Sequence, residues 1–207
     1  MTYRFLSTLD APGIRAAYGA NDVGKLWEPT DVDRSADRFS PNETAFIAER
    51  DSFYLATVSQ TGWPYIQHRG GPRGFLRVLD QSTLGFADFR GNRQYLTLGN
   101  LLGDDRVALF LMDYPRRRRL KILARMSVHD LKAEADLADR VATPGYRGLA
   151  ERGFTLRLHA FDWNCPQHIA PRFTADEIEA AIAPLRARLR ELEGENARLR
   201  SEKESLS

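Results

Sequence analysis

The chain carries one cysteine, Cys165, in 207 residues. A lone thiol excludes an intrachain disulfide framework and fits a reducing compartment, so a cytoplasmic location is expected. No apolar run approaches the ~20 residues that span a bilayer. The opening MTYRFLSTLDAPG lacks the charged-then-apolar pattern of a leader. No membrane partner is expected. Excess charge is missing too: 30 Lys and Arg against 28 Asp and Glu leave a net charge of +2. That balance argues against an electrostatic nucleic-acid binder. The one basic run, Arg116-Arg117-Arg118-Arg119, follows Asp113-Tyr114-Pro115 and reads as the tip of a hairpin. It has no aromatic platform on which bases could stack. Internal repeats are absent. A chain of this length holds one ordinary domain with a substantial core, plus appendages.

What is present is a cluster of short β-rich runs between Asp51 and Met126. They cover 52–59, 64–69 resumed at 75–79, 84–89, 106–112 and 120–128, and a last run covers 154–161. Gln60-Thr61-Gly62, Gly70-Gly71-Pro72 and Asp80-Gln81-Ser82 supply turn chemistry between them. Strands this close together, with little helix between, predict an antiparallel sheet or barrel. Residues 42–49 read as a helix capped by Ser40 with Pro41 in the first turn, and 130–141 as a second. Pro12 to Trp27 is a weaker helical stretch, followed by a polar linker from Asp31.

The segment Gly91-Asn92-Arg93-Gln94-Tyr95-Leu96-Thr97-Leu98-Gly99-Asn100-Leu101 reads as one short helix entered through Asn92 as N-cap. Free N–H groups at such an entrance, with Arg93 beside them, suit a phosphate. An ordinary solvated cap is the alternative reading. Along the strand before it, Gln67 and Arg69 share one face and His68 the other. Asp88 and Arg90 share a face of another strand and could form a plain ion pair.

These residues resemble the flavin-binding split barrels of the pyridoxamine 5'-phosphate oxidase-like superfamily. The likeness covers about Phe46 to Met126, with a fainter echo near Trp163. Phe86-Ala87-Asp88-Phe89-Arg90-Gly91-Asn92-Arg93-Gln94 matches the strand and turn that carry an Arg-Lys pair onto the phosphate of flavin mononucleotide (FMN). Gln94 stands where Lys is usual. Pro64-Tyr65-Ile66-Gln67-His68-Arg69 matches the preceding flavin strand, with Gln67 in place of the usual Arg. Arg118-Arg119-Leu120-Lys121-Ile122 matches a later strand, with Arg119 where Gln is common. These departures mark a divergent member, not the vitamin B6 enzyme itself.

The resemblance implies a six-stranded antiparallel split barrel with flanking helices, over residues 42–173. It implies a homodimer with FMN between subunits and a small-molecule substrate. Arg69, Asn92, Arg93 and Gln94 would hold the phosphate. Gln67, His68 and Asp88 would line the ribityl chain and ring, Arg119 would touch the ring's polar edge, and Trp163 would lie near the flavin. The implied activity is hydride or electron transfer between a small organic substrate and FMN. No residue stands out as a general acid or base. A non-catalytic flavin or haem binder, or a sensor whose tail docks another protein, is the rival reading. A dimer that has lost its cofactor is another.

Downstream, Cys165 and His168 are too few for a metal site, and nothing in the sequence brings a base to the thiol. Gln167, His168 and Arg172 read as substrate-side residues on a proline-braced segment, or as parts of a packed connector. Thr174-Ala175-Asp176-Glu177 is a capping box. Beyond it Ile178, Ile182, Leu185, Leu189, Leu192, Asn196, Leu199, Lys203 and Leu206 alternate in steps of four and three. This heptad stripe predicts a C-terminal coiled-coil helix over 174–207, interrupted at Pro184 and weakened at Gly194. An amphipathic helix lying on its own barrel is the alternative.

Overall fold

A computed structural model describes residues 3–9, 12–19, 37–163 and 166–205. Trp27, Asp31 and Cys165, on which sequence expectations bore, lie outside these residues. The chain forms two compact units: residues 1–113 with 117–168, and residues 114–116 with 169–207.

In the larger unit, α1 (Tyr3–Leu9), α2 (Pro12–Gly19) and α3 (Pro41–Ala48) precede the strands. β1 (Ser52–Val58), β2 (Pro64–Gly70), β3 (Arg77–Asp80) and β4 (Thr83–Phe89) follow. Next come α4 (Leu96–Leu101), β5 (Arg106–Asp113), β6 (Arg118–His129), α5 (Ala135–Val141) and β7 (Ala150–Trp163). All strand pairs are antiparallel, in the order β2-β1-β5-β6-β7-β4-β3. This is the antiparallel split-barrel class, with seven strands where six were expected. The difference lies at 75–79, which looks like a continuation of the second run. Its strand, β3, pairs with β4 and not with β1.

The inward faces obey the two-residue period of a strand. Phe53 and Leu55 on β1, Leu109 and Leu111 on β5, and Leu120 and Ile122 on β6 are buried together. Phe53 stacks on Phe75 at 5.6 Å between centroids and meets Phe86 edge-on at 5.3 Å. Phe86 in turn lies 5.2 Å from Phe154. These rings link β1 to β4 and β7, which are not neighbours in the sheet, so the sheet curls around them. Each such side chain contributes about 1.5–3 kcal/mol by burial. β4 is buried on both faces because α5 covers the second. At Gly85 a Cβ would come within 2.7 Å of the Leu79 side chain and 3.1 Å of Val141, so any larger residue requires Leu79 to shift. Gly62 at φ +86° makes the β1–β2 hairpin turn.

The helices are set by local chemistry. Ser40 caps α3, and the Glu43 carboxylate reaches back to the Ser40 N–H at 2.9 Å, a reciprocal capping box. Phe46 and Ile47, three and four residues on, are buried on the same face of α3 as Glu43. α5 begins at Ala135, five residues later than the pattern suggests, because residues 131–133 form a turn. Of the weak N-terminal helix, residues 12–19 are helical.

The smaller unit carries α6 (Ala175–Ser205), which runs through Pro184 without a break. The expected interruption does not occur. Proline removes the bond to the Ala180 carbonyl, but Ala180 is exposed, so losing that bond does not leave a buried unsatisfied group. Thr174 and Glu177 make the expected reciprocal cap: the Thr174 N–H donates to the carboxylate at 2.8 Å, and the Glu177 N–H to the hydroxyl at 3.2 Å.

Candidate functional site

β2, β4, the 90–95 loop, the start of α4 and the start of β7 enclose a cleft of about 210 Å³. Its walls include Gln67, Arg69, Asp88, Asn92, Arg93 and Gln94 from the sequence expectations. Tyr65, Tyr95, Thr97, Glu151 and Arg152 are among its other walls.

Asp88 is the centre of its charge. It is buried and lies opposite Arg152 in the β4–β7 register. Arg69 donates to Asp88 Oδ1 at 2.5 Å, and Arg152 donates to Oδ2 at 3.0 Å. One carboxylate therefore holds guanidiniums from two strands that are not neighbours. Burial pushes the Asp88 pKa above its ordinary value, against the pull of Arg69 and Arg152. Beside it, Glu151 accepts from Arg90 at 3.0 Å and from the Tyr95 hydroxyl at 3.3 Å. Burial opposes it, yet these hydrogen bonds and the neighbouring arginines hold the Glu151 pKa below the usual value. Arg152 also lies 4.9 Å over the Tyr95 ring. The Thr97 hydroxyl donates to Gln67 Oε1 at 3.0 Å, which leaves the Gln67 amide N–H groups as the donors that side chain can offer.

The loop is bent sharply. β4 has a register shift between Asp88 and Phe89, and the Arg90 N–H donates to Leu149 O at 2.8 Å. Bulges of this kind re-aim side chains beside sites. Arg93 and Tyr95 adopt left-handed backbone at φ 58° and 52°. Each non-glycine residue there costs roughly 1–2 kcal/mol. Asn92 is not the helix cap the sequence suggests. α4 starts at Leu96 after Tyr95, which makes no side-chain cap. Asn92 Oδ1 accepts instead from the Gln94 N–H at 3.2 Å, closing a side-chain turn before the helix.

The charges do not balance within this cleft. Three guanidiniums, of Arg69, Arg93 and Arg152, face two carboxylates, of Asp88 and Glu151. Arg93 is exposed, and its side chain has no ion pair among the described residues. Arg69 Nε is buried and has no hydrogen-bond acceptor among them. The donor set thus has capacity left for an anion.

Other expected site residues lie elsewhere. His68 points to the opposite face of β2, where it meets Tyr54 edge-on at 5.7 Å. Arg119 sits 5.7 Å over Phe110. Trp163 donates to Glu43 at 2.8 Å and packs edge-on against Phe46 at 4.8 Å. Gln167 and His168 are exposed, and Arg172 lies over Tyr114 at 4.9 Å. Arg152 and Glu151 escaped the sequence reading because the last strand looked as if it began at Phe154, whereas β7 begins at Ala150. Two charged residues just before that run were the available signal. Among the described residues no helix is long and apolar enough to cross a membrane, and no group of three or more His, Cys, Asp or Glu could hold a metal.

Residues 39–153, more than half of the chain, match the family model described as pyridoxamine 5'-phosphate oxidase. The protein belongs to that family, as a divergent member of its FMN-binding split-barrel superfamily. No curated protein sequence matches it. Solved structures resemble it at low identity. HupZ of Group A Streptococcus is 14% identical, covering 65% of this chain and 99% of its own, with a TM-score of 0.47. An FMN-binding protein from Syntrophomonas wolfei is 13% identical, covering 74% and 95%, with a TM-score of 0.44. A general stress protein 26 relative from Clostridium acetobutylicum, described as of the pyridoxinephosphate oxidase family, is 13% identical. It covers 66% and 94%, with a TM-score of 0.41.

Proposed function

We propose that the chain binds FMN with its phosphate in the β2–β4–β7 cleft, and works as an oxidoreductase on a small organic substrate. The observation that carries this reading is that the exposed Arg93 guanidinium and the orphaned Arg69 Nε belong to one cleft with cationic excess. A phosphate monoester supplies the acceptors these donors lack. Arg93, the bent 92–94 backbone and Arg69 hold the phosphate in this proposal. Arg152 adds positive potential and is itself held by Asp88. The Gln67 amide, fixed by Thr97, donates to ribityl oxygens, and Tyr65 and Tyr95 shield the sugar chain from water. Arg119 and His68, on other faces, are proposed to meet flavin only across a subunit boundary. The bound flavin would supply the hydride or electron chemistry, while the protein supplies orientation and electrostatics.

The cleft is smaller than the about 300–1,000 Å³ of complete cofactor pockets. It suits the phosphate end, and a second copy of the chain is proposed to cover the ring. The test is titration of the purified protein with FMN and with riboflavin, followed by flavin fluorescence and the visible spectrum. FMN should bind with one equivalent per chain and at least about tenfold more tightly than riboflavin, the value of a charged phosphate contact. Equal affinities, or no uptake of FMN, would reject the site. Turnover of bound flavin with reduced nicotinamide and oxygen separates an oxidoreductase from a flavin carrier.

A further inference from the structure

We infer that α6 is a parallel, in-register two-stranded coiled coil made with a second copy of this chain. The helix spans 31 residues, and none of them is buried. Its apolar positions are nonetheless regular: Ile178, Leu185, Leu189, Leu192 and Leu199 are 44–70% exposed. A stripe of this kind, sustained over four heptads, is a seam that lacks its facing helix. With Ile182, Leu189, Asn196 and Lys203 at a, and Leu185, Leu192 and Leu199 at d, the flanking e and g residues are fixed.

Those flanks fit a second copy of the same helix, and Asn196 chooses its direction. In a parallel pair each g residue faces the e residue five positions on in the other helix. Arg188 then meets Glu193 of the partner subunit, and Glu195 meets Arg200 of the partner subunit. Both contacts join opposite charges, and each occurs twice by symmetry. Asn196 meets its own copy, so its amide is paired across the seam, and this fixes the register. Antiparallel pairing at full overlap of α6 also joins opposite charges, Arg186 with the partner's Glu193 and Arg188 with the partner's Glu195, but it buries Asn196 against the partner's Leu185, with no amide partner across the seam. A second copy in parallel is therefore the partner this surface fits. Such pairing would hold two barrels at high effective concentration, whether or not flavin is bound.

The test uses the full chain with Cys165→Ser and a single new thiol at one site. Leu185→Cys and Leu199→Cys lie on the seam at d, and Ala187→Cys lies on its outside at f. Under mild oxidation both seam variants should form disulfide-linked dimers on a non-reducing gel at least about fivefold faster than Ala187→Cys. This contrast follows from the 4.4–6.8 Å Cα separation a disulfide requires. Arg200→Glu should slow cross-linking at Leu199→Cys several-fold, and adding Glu195→Arg should restore it. Cross-linking no faster than at Ala187, or at only one of the two seam sites, overturns the parallel pair. A double charge swap that restores nothing overturns the register. Because the readout is a cross-link, it stands or fails separately from flavin uptake.

Discussion

Two parts of the barrel use the same residue types to opposite ends. Beside α3, Arg118 lies 4.5 Å over Trp163, and Glu43 accepts from Trp163, Ser40 and Asn42. Arg118 also donates to Asn42 at 3.3 Å. Arginine, aromatic ring and carboxylate close on one another there. In the cleft, Arg152 lies over Tyr95, and Asp88 ties Arg69 to Arg152. Yet Arg93 and Arg69 Nε keep donor capacity, and the loop that presents Arg93 is backbone-strained. The lesson is that residue type does not mark a site; unspent hydrogen-bonding capacity does.

Removing the keystone of the open cluster should have the largest effect. Asp88→Ala leaves two largely buried guanidiniums without their shared carboxylate, and should cost about 3–5 kcal/mol in urea unfolding. A loss below about 1 kcal/mol would mean that water already serves those arginines.

The closed cluster should respond next. Glu43→Ala removes the α3 cap partner and the Trp163 acceptor, for an expected loss of about 2–4 kcal/mol. Its pH dependence has a definite sign. Burial would raise the Glu43 pKa, but its hydrogen bonds hold it below the ordinary 4.5. Its contribution is therefore full above pH 4.5 and is lost as pH falls through the lower folded value. Glu43→Gln should flatten that part of an unfolding-versus-pH curve, with no effect on flavin affinity.

Arg93→Ala touches only the open region. FMN affinity should fall about 10–100-fold, equivalent to about 1.4–2.7 kcal/mol, with riboflavin affinity and thermal stability unchanged. An equal loss for riboflavin would show that Arg93 does not read the phosphate. Gln94→Lys should give the smallest change. An added cation at this exposed lip should tighten FMN by no more than about fivefold, since exposed ion pairs are worth under about 1 kcal/mol.

How much was legible follows from the range of each interaction. The strands could be read because a buried face repeats every second residue, as Phe53 and Leu55 do. The Thr174–Glu177 cap could be read because both partners lie within one turn. Asn92 misled: its side chain bonds two residues on at Gln94, not at a helix start, and choosing between those options needs the backbone angles of Arg93 and Tyr95. β3 was hidden because pairing with β4 rather than β1 is a choice between distant partners. Arg152 was hidden because its partner, Asp88, is 64 residues away.

The sequence by itself determined the β runs, the Ser40 and Thr174 caps, the heptad stripe and the family, since each depends on short-range spacing. Only the tertiary structure decided that Asp88 joins two strands, that Trp163 is spent on Glu43, and that Arg93 is not. The physical reason is that a donor's remaining capacity depends on every neighbour the fold brings to it, and most of those neighbours are remote along the chain.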